Sequence, residues 1–263
     1  MQSRKIGIFD SGLGGLLVAR AVRKMMPQYD YVYLGDVKNL PYGEKTEKEI
    51  YKNTQKALTY LFKNKCEIVV IACNTVSAES LRRIQQEWLP KSIYKDRKVL
   101  GVIRPTAELV GKYKNIGLIG TRRTVESGTY KEELKIINPK IKLTDLATPK
   151  LVPMVEDGEY DMEILKKYLV PFRKVDALIL ACTHYGLLKK EIRKILGTKP
   201  KIITQEDLLP RKLKIYLKKH LEITKKLSKR QSVEILVTKI NSRYKNLAQK
   251  WFGGKVKLKL IKL

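Results

Sequence analysis

Short runs of aliphatic and β-branched residues alternate with helical stretches along most of this 263-residue chain. The runs are apolar throughout, which is typical of strands whose two faces are both buried. Strands followed by helices form parallel sheets covered by helices. Helices are predicted between the runs, for example over residues 46–64 and 76–88. The runs that predict strands are KIGIF, YDYVYLG, EIVVIA, KVLGVI, NIGLIG, KIKLTDLA, ALILA and KIITQ. The sequence therefore predicts an α/β fold with mainly parallel sheets sandwiched by helices.

Two pairs of similar segments lie at nearly the same separation along the chain. IGIFDSG begins at Ile6 and IGLIGTR at Ile116, which is 110 residues later. VVIACNT carries Cys73 and LILACTH carries Cys182, which is 109 residues later. Repeats at one offset indicate repeated structural units. We therefore expect two similar α/β domains with the active site between them.

The boundary between the two domains is expected near DRKVLGVIRPT, where Pro105 ends a strand. The first domain then comprises residues 1–100 plus 207–263, and the second comprises residues 101–206. The segment from about Asp207 onward has no counterpart in the repeat. Its predicted helix, the strand VEILVT, a second helix and a last strand should pack on the first domain. We expect this tail to lie outside the cleft that holds the thiols.

Cys73 and Cys182 both follow apolar runs, at the strand ends where open parallel sheets bind ligands. A single cysteine in such a place is more simply a small buried hydrophobic residue, which is our interpretation of Cys66. Two thiols at matching positions instead predict a pair of acid/base groups that face one cleft. One thiolate would remove a proton from a tetrahedral carbon while the other thiol returns one to the opposite face. This is the chemistry of a racemase.

A racemase of this kind must also stabilise carbanion-like charge with preorganised hydrogen-bond donors. Asp10 and His184 each follow a strand, and each is expected near one thiol, where it could move protons or tune a thiol pKa. Two structural alternatives stay open at this point, a helix N-cap for Asp10 and a hydrogen-bonded core histidine for His184. The donors available near the strand ends are Ser11, Asn74, Thr75, Thr121 and Thr183.

Two other enzyme classes fit parts of the sequence but not the whole. DSGLGGLL imitates a dinucleotide-binding loop, with Asp36 as its acidic partner, but Leu17 occupies the position of the third glycine. A hydrolase with Cys182 as nucleophile and His184 as base leaves the matching thiol of Cys73 without a role.

Composition bears on metals, membranes and nucleic acids. Three cysteines and two histidines lack metal-site spacing, so we expect no metal. No apolar run approaches the roughly 20 residues that span a bilayer, and Asp10 interrupts any signal-like segment, so we expect a cytoplasmic protein without a membrane segment.

The formal charge of +29 is a common footprint of nucleic-acid binding. Residues 211–263 carry 17 Lys and Arg against two Glu. These cations follow helical and alternating patterns that mark solvated faces, and no nucleic-acid motif accompanies them. Nucleic-acid binding is therefore the weaker interpretation.

Six motifs in this order and spacing resemble the glutamate racemase family over essentially the whole chain. They are FDSGLGG at Phe9, LPYGEK at Leu40, IACNT at Ile71, LIGT at Leu118, VEDG at Val155 and ACTHYGLL at Ala181. The resemblance implies cofactor-independent interconversion of L- and D-glutamate, which supplies D-glutamate for peptidoglycan. It also implies homodimers and the absence of pyridoxal phosphate and metal.

The resemblance further implies the roles of particular side chains. Cys73 and Cys182 would be the catalytic acid/base pair, assisted by Asp10 and His184. The implied substrate-binding residues are Asp10, Ser11, Pro41, Tyr42, Gly43, Asn74, Thr75, Thr121, Glu156, Thr183 and His184.

Some positions distinguish this chain within the superfamily. Related aspartate racemases usually carry Glu at the position of His184 and lack the Asp-Ser-Gly opening, so the resemblance favours glutamate. A racemase for aspartate or another amino acid stays open, as does a racemase-like scaffold that binds nucleic acid through its basic C-terminal region. Four residues depart from the common pattern, and we expect them to affect regulation or dimer geometry rather than chemistry. They are Arg104, Thr106, Thr204 and Gln205.

Overall fold

The computed structural model describes residues 3–263, which form ten strands and thirteen α-helices within that range. The strands are β1 Lys5–Asp10, β2 Tyr31–Gly35, β3 Cys66–Ile71, β4 Lys98–Leu100, β5 Asn115–Gly120, β6 Lys142–Ala147, β7 Ala177–Ala181, β8 Lys201–Ile203, β9 Val233–Val237 and β10 Leu258–Leu260. The helices are α1 Leu16–Met25, α2 Glu47–Lys63, α3 Asn74–Glu79, α4 Leu81–Arg83, α5 Ile103–Val110, α6 Arg122–Glu126, α7 Thr129–Ile137, α8 Leu151–Asp157, α9 Met162–Leu169, α10 Lys189–Leu196, α11 Gln205–Lys219, α12 Leu221–Thr224 and α13 Ser242–Phe252.

The strands form two sheets in which every pair is parallel. One sheet has the order β10-β9-β2-β1-β3-β4, and the other has the order β6-β5-β7-β8. The segment β2-β1-β3-β4 therefore has the same order as β6-β5-β7-β8, with β1 equivalent to β5 and β3 to β7. The predicted α/β class is confirmed, and the repeat detected in the sequence corresponds to a repeated strand order.

The C-terminal tail completes the six-stranded sheet. Strand β9 pairs with β2, and β10 pairs with β9, so the tail packs on the first half of the chain as expected. Helix α11 packs against α1. Strands from residues 5–100 and 233–260 make up one sheet, and strands from 115–203 make up the other. The domain bounds proposed from the sequence are compatible with this division and stay a prediction.

Capping interactions explain why the predicted bounds of helix α2 are right. Helix α2 begins after Thr46, whose side chain accepts a hydrogen bond from the Glu49 N–H while the Glu49 side chain accepts from the Thr46 N–H. This reciprocal cap satisfies two backbone donors that the first turn leaves free. The helix ends at Lys63 with Asn64 as its C-cap, so the predicted range 46–64 matches the helix with its two caps.

Two expectations about local structure are wrong, and one helix was not predicted. Pro105 does not end a strand: β4 stops at Leu100, and Pro105 lies in the first turn of α5, where a missing N–H costs no hydrogen bond. The helix predicted over residues 76–88 is divided at Ser80 and continues through a π-helical turn at Ile84–Trp88. Helix α8 has no counterpart in the prediction, because a seven-residue helix with an internal proline shows too little periodicity.

Burial is nearly complete along the central strands, which accounts for their apolar sequences. Every residue of β3 and β7 is buried. Within residues 3–263, no helix has both the length and the apolar character that crossing a membrane requires.

Candidate active site

The carboxyl ends of the central strands of both sheets meet at one cavity of about 670 Å³. The strand repeat thus brings the two equivalent thiols, which lie 109 residues apart in sequence, to the same space. Every predicted site residue except Asp10 lines this cavity: Ser11, Pro41, Tyr42, Gly43, Cys73, Asn74, Thr75, Thr121, Glu156, Cys182, Thr183 and His184. Asp10 is fully buried directly behind the lining.

Cys73 lies in a buried environment with Ser11 and Asp10. Its Sγ atom is 3.3 Å from Ser11 Oγ. Burial, followed by the negative charge of Asp10, raises the pKa of the Cys73 thiol to about 12. Cys73 is therefore a neutral thiol at neutral pH in this structure, able to give up a proton to a carbanion.

Asp10 organises the loop that leads from β1 into α1. Its Oδ2 atom accepts hydrogen bonds from the N–H groups of Gly12 and Gly15, both at 3.1 Å. Burial raises the pKa of this carboxyl group, although the charge of His184 and these N–H groups oppose the rise. The N-cap residue of α1 is Gly15, so the alternative that Asp10 is a helix N-cap is wrong.

Cys182 lies beside an imidazole that is held by a carboxylate. His184 Nδ1 is 3.6 Å from Cys182 Sγ, and His184 Nε2 is 3.1 Å from Glu156 Oε1. Burial disfavours the imidazolium, but the hydrogen bonds to Cys182 and Glu156 outweigh it and raise the pKa of His184 to about 10. A charged His184 donates Nε2–H to Glu156 and can donate Nδ1–H to the Cys182 sulfur. The contact with the Cys182 sulfur distinguishes His184 from a histidine that only fills the core.

The two thiols consequently have unlike surroundings despite their equivalent positions in the repeat. One lies beside a hydroxyl and a buried aspartate, and the other beside a histidine–glutamate pair. The halves also touch each other at this point, since Thr183 Oγ1 is 3.4 Å from Asp10 Oδ1.

Three threonine hydroxyls form a cluster at another part of the site, where Thr75 and Thr121 line the cavity and the buried Thr124 lies behind them. Thr75 Oγ1 lies 2.9 Å from Thr121 Oγ1 and 3.2 Å from Thr124 Oγ1, and the last two are 2.9 Å apart. Gly43 packs directly on Thr121, because a Cβ atom at Gly43 would lie only 2.9 Å from Thr121 Cβ. Such a group of hydroxyls beside the Gly43 backbone can bind a carboxylate. Thr124 was not predicted as part of the site, although its spacing of three residues from the N-cap Thr121 is a signal for it.

The loop that carries Pro41, Tyr42 and Gly43 is held from behind by a buried carboxylate. Tyr42 donates its hydroxyl hydrogen to Asp36 Oδ2 at 2.6 Å, and Thr238 donates to Asp36 Oδ1 at 2.8 Å. Asp36 is fully buried, so its side chain supports this loop. It is not available to bind the ribose of a dinucleotide, as the acidic residue of a dinucleotide-binding loop would be.

Helix α13 forms part of the cavity wall through Arg243 and Tyr244. Arg243 Nη2 lies 2.7 Å from Asp157 Oδ1 and 3.6 Å from Glu156 Oε2. The ring of Trp251 meets the ring of His184 at right angles, with centroids 5.4 Å apart. The expectation that the basic tail lies outside the thiol cleft is therefore wrong, because α13 reaches α8 across the edge of the cavity.

Cys66 and Tyr185 both have structural surroundings. Cys66 is fully buried, and burial raises the pKa of its thiol to about 12, as suits a small core residue. Tyr185 is buried too, and its hydroxyl donates to the Thr148 backbone carbonyl at 3.0 Å. Within residues 3–263, no group of three or more His, Cys, Asp or Glu side chains is arranged to hold a metal ion.

Comparisons with known proteins agree with this architecture. Curated relatives include glutamate racemase 2 of Caldanaerobacter subterraneus subsp. tengcongensis, 34% identical over 97% of this chain and 96% of its own length, and the Aquifex aeolicus glutamate racemase, 42% identical over 73% and 75%. Among solved structures, Bacillus anthracis glutamate racemase isoform RacE1 has a TM-score of 0.89 at 30% identity, covering 100% of this chain and 99% of that one. Francisella tularensis glutamate racemase in complex with D-glutamate also has a TM-score of 0.89, at 29% identity, covering 100% and 98%. Residues 17–204 match the family model described as Asp/Glu/Hydantoin racemase. The chain belongs to the Asp/Glu/hydantoin racemase family.

Proposed function

We propose that this protein interconverts L- and D-glutamate without a cofactor, with Cys73 and Cys182 as the two acid/base groups, and that it supplies D-glutamate for peptidoglycan synthesis. The observation that carries the proposal is the pair of thiols at the ends of equivalent strands, both lining one cavity. The relatives named as glutamate racemases, one of them solved with D-glutamate, support the choice of substrate.

The proposed reaction transfers one proton off and one proton onto the same carbon. A thiolate on one face takes the Cα proton, and the electron pair left on Cα takes a proton from the thiol on the other face. In the reverse direction the two sulfur atoms exchange roles. His184 exchanges a proton with Cys182 over their 3.6 Å contact, while Glu156 keeps the imidazole oriented. Asp10 and Ser11 serve the Cys73 side.

Binding of the substrate is assigned to the polar groups around the thiols. The threonine cluster and the backbone of Pro41, Tyr42 and Gly43 would hold one carboxylate. Ser11, Asn74 and Thr183 would hold the amino and carboxylate groups at Cα. The distance between these two sets would then select glutamate over the shorter aspartate.

The assay for this proposal is polarimetry on L-glutamate and on D-glutamate, without added pyridoxal phosphate or metal, with aspartate tested in parallel. Both glutamate solutions should lose their optical rotation. The two values of kcat/KM must be equal, because enantiomers have equal free energies in an achiral solvent. Racemisation of aspartate but not glutamate would establish the alternative substrate, and no reaction with either would refute the proposal.

We further propose that the protein forms a homodimer and is located in the cytoplasm. Light scattering on the purified protein measures the assembly directly. The basic region 211–263 motivates the nucleic-acid alternative, which requires affinity that falls steeply with added salt. A flat binding curve at low ionic strength would dismiss it.

A further inference from the structure

The carboxamide of Asn74 is held by two residues from distant parts of the chain. Asn74 follows Cys73 directly and is 1% exposed. Its Oδ1 atom accepts a hydrogen bond from the Tyr130 hydroxyl at 2.6 Å and from Gln205 Nε2 at 3.4 Å. The two donors lie on α7 and at the start of α11.

The other end of the same carboxamide is unpartnered. Among the residues that the structure describes, none accepts a hydrogen bond from the buried Asn74 Nδ2. An orphaned buried donor is costly, so such groups usually have a partner. Asn74 lines the cavity, and a carboxylate ligand there would supply the missing acceptor.

With the Gln205 carboxamide as it stands, its own Oε1 having no partner among the described residues, only one orientation of the Asn74 carboxamide suits its neighbours. Rotating it by half a turn would place Nδ2 against Gln205 Nε2, so that two donors would face each other. The hydroxyl of Tyr130 would also lose the acceptor for its hydrogen. In this arrangement the contacts with Oδ1 leave Nδ2 as the atom available to a ligand.

We propose that Tyr130 and Gln205 are positioning residues that fix the Asn74 carboxamide with Nδ2 available to a substrate carboxylate. This inference rests on the proposed glutamate racemase function and names two residues that act on substrate binding through a third. Tyr130 belongs to the second half of the chain and Asn74 to the first. The orientation of the Asn74 Nδ2 donor therefore depends on the contact between the two halves. The proposal also gives Gln205 a role at the site, which was not expected from the sequence.

The test is a double-mutant cycle on the full-length protein, with glutamate as the probe. Tyr130→Phe removes only the hydroxyl and keeps the ring that fills the core. Losing one well-oriented buried hydrogen bond should raise KM for glutamate about tenfold, with kcat changed less than about twofold. Asn74→Ala should raise KM at least as much. In the Asn74→Ala background, Tyr130→Phe should add nothing, because it acts through Asn74.

Thermal unfolding midpoints and a matched Tyr113→Phe control separate positioning from stability. Tyr113 is half-buried and does not line the cavity. A Tyr130→Phe variant with unchanged KM, or a double variant whose KM is the product of the single effects, would overturn the inference and leave the proposed function standing. A wild-type protein that does not racemise glutamate would overturn the proposed function and this inference with it.

Discussion

Glu156→Gln replaces one carboxylate oxygen at the side of the His184 ring that faces away from Cys182. The carboxylate is 3.1 Å from His184 Nε2, and its residue is largely shielded from water. A hydrogen bond to a charged group contributes about 1.5–3 kcal/mol, which corresponds to a pKa change of about one to two. We therefore expect the pKa of His184 to fall from about 10 to about 8 or 9 in this variant.

The raised pKa of His184 also predicts that the free energy of unfolding falls as the pH rises. Its folded value of about 10 exceeds its ordinary value of 6.5, so the stabilisation is fully present below pH 6.5 and is lost as pH rises through 10. Between pH 6.5 and 8.5 this loss amounts to about 2 kcal/mol of unfolding free energy. His184→Gln should remove that pH dependence, as measured by urea denaturation at the two pH values.

The direct assay is the NMR titration of the imidazole Cε1–H signal. The chain has two histidines, so a His220→Gln background leaves His184 as the only signal. Asp157→Asn is the matched control, because Asp157 lies next to Glu156 on α8 but bonds Arg243 and not His184. A His184 midpoint near 6.5 in the parent protein, or an unchanged midpoint in Glu156→Gln, would refute the reasoning.

Two further predictions concern groups that hold the site from behind. Gly14→Ala should lower kcat/KM about 100-fold, because the new Cβ atom would lie 2.5 Å from Thr183 Oγ1 and 2.7 Å from His184 Nδ1 and displace both; steady-state kinetics near the parent values would contradict it. Tyr42→Phe should lower the free energy of unfolding by about 1.5–3 kcal/mol, because it removes a hydrogen bond from the buried Asp36 carboxylate; a urea midpoint that does not move would argue against this support of the loop.

The strands were predictable because buried parallel strands are uniformly apolar, and the repeat was predictable because two pairs of segments recur at nearly one offset; the strand order itself was not predicted. The equivalence of Cys73 and Cys182 followed from the same pattern, since residues at matching strand ends share a place in the fold. Positions at strand ends thus predicted the lining residues Ser11, Asn74, Thr75, Thr121, Thr183 and His184, whereas Pro41, Tyr42, Gly43 and Glu156 were implied only by the family resemblance.

Contacts between distant segments were not predictable in this way. Tyr130 reaches Asn74 across 56 residues, and Arg243 reaches Asp157 across 86. Neither pair has a local periodicity or a motif, because each exists only through the packing of two helices. Helix α13 was predicted as a helix, but its place in the cavity wall depends on how β9 extends the sheet beside β2.

The proposed mechanism requires that two thiols act on opposite faces of one carbon. Its most direct measurement follows the Cα hydrogen of each glutamate enantiomer in D2O with Cys73→Ser and Cys182→Ser. Each variant should racemise about 10²- to 10⁴-fold more slowly than the parent and exchange the Cα hydrogen of one enantiomer only, the two variants acting on opposite enantiomers. Exchange of the same enantiomer by both variants, or racemisation by either at the parent rate, would contradict the two-thiol mechanism.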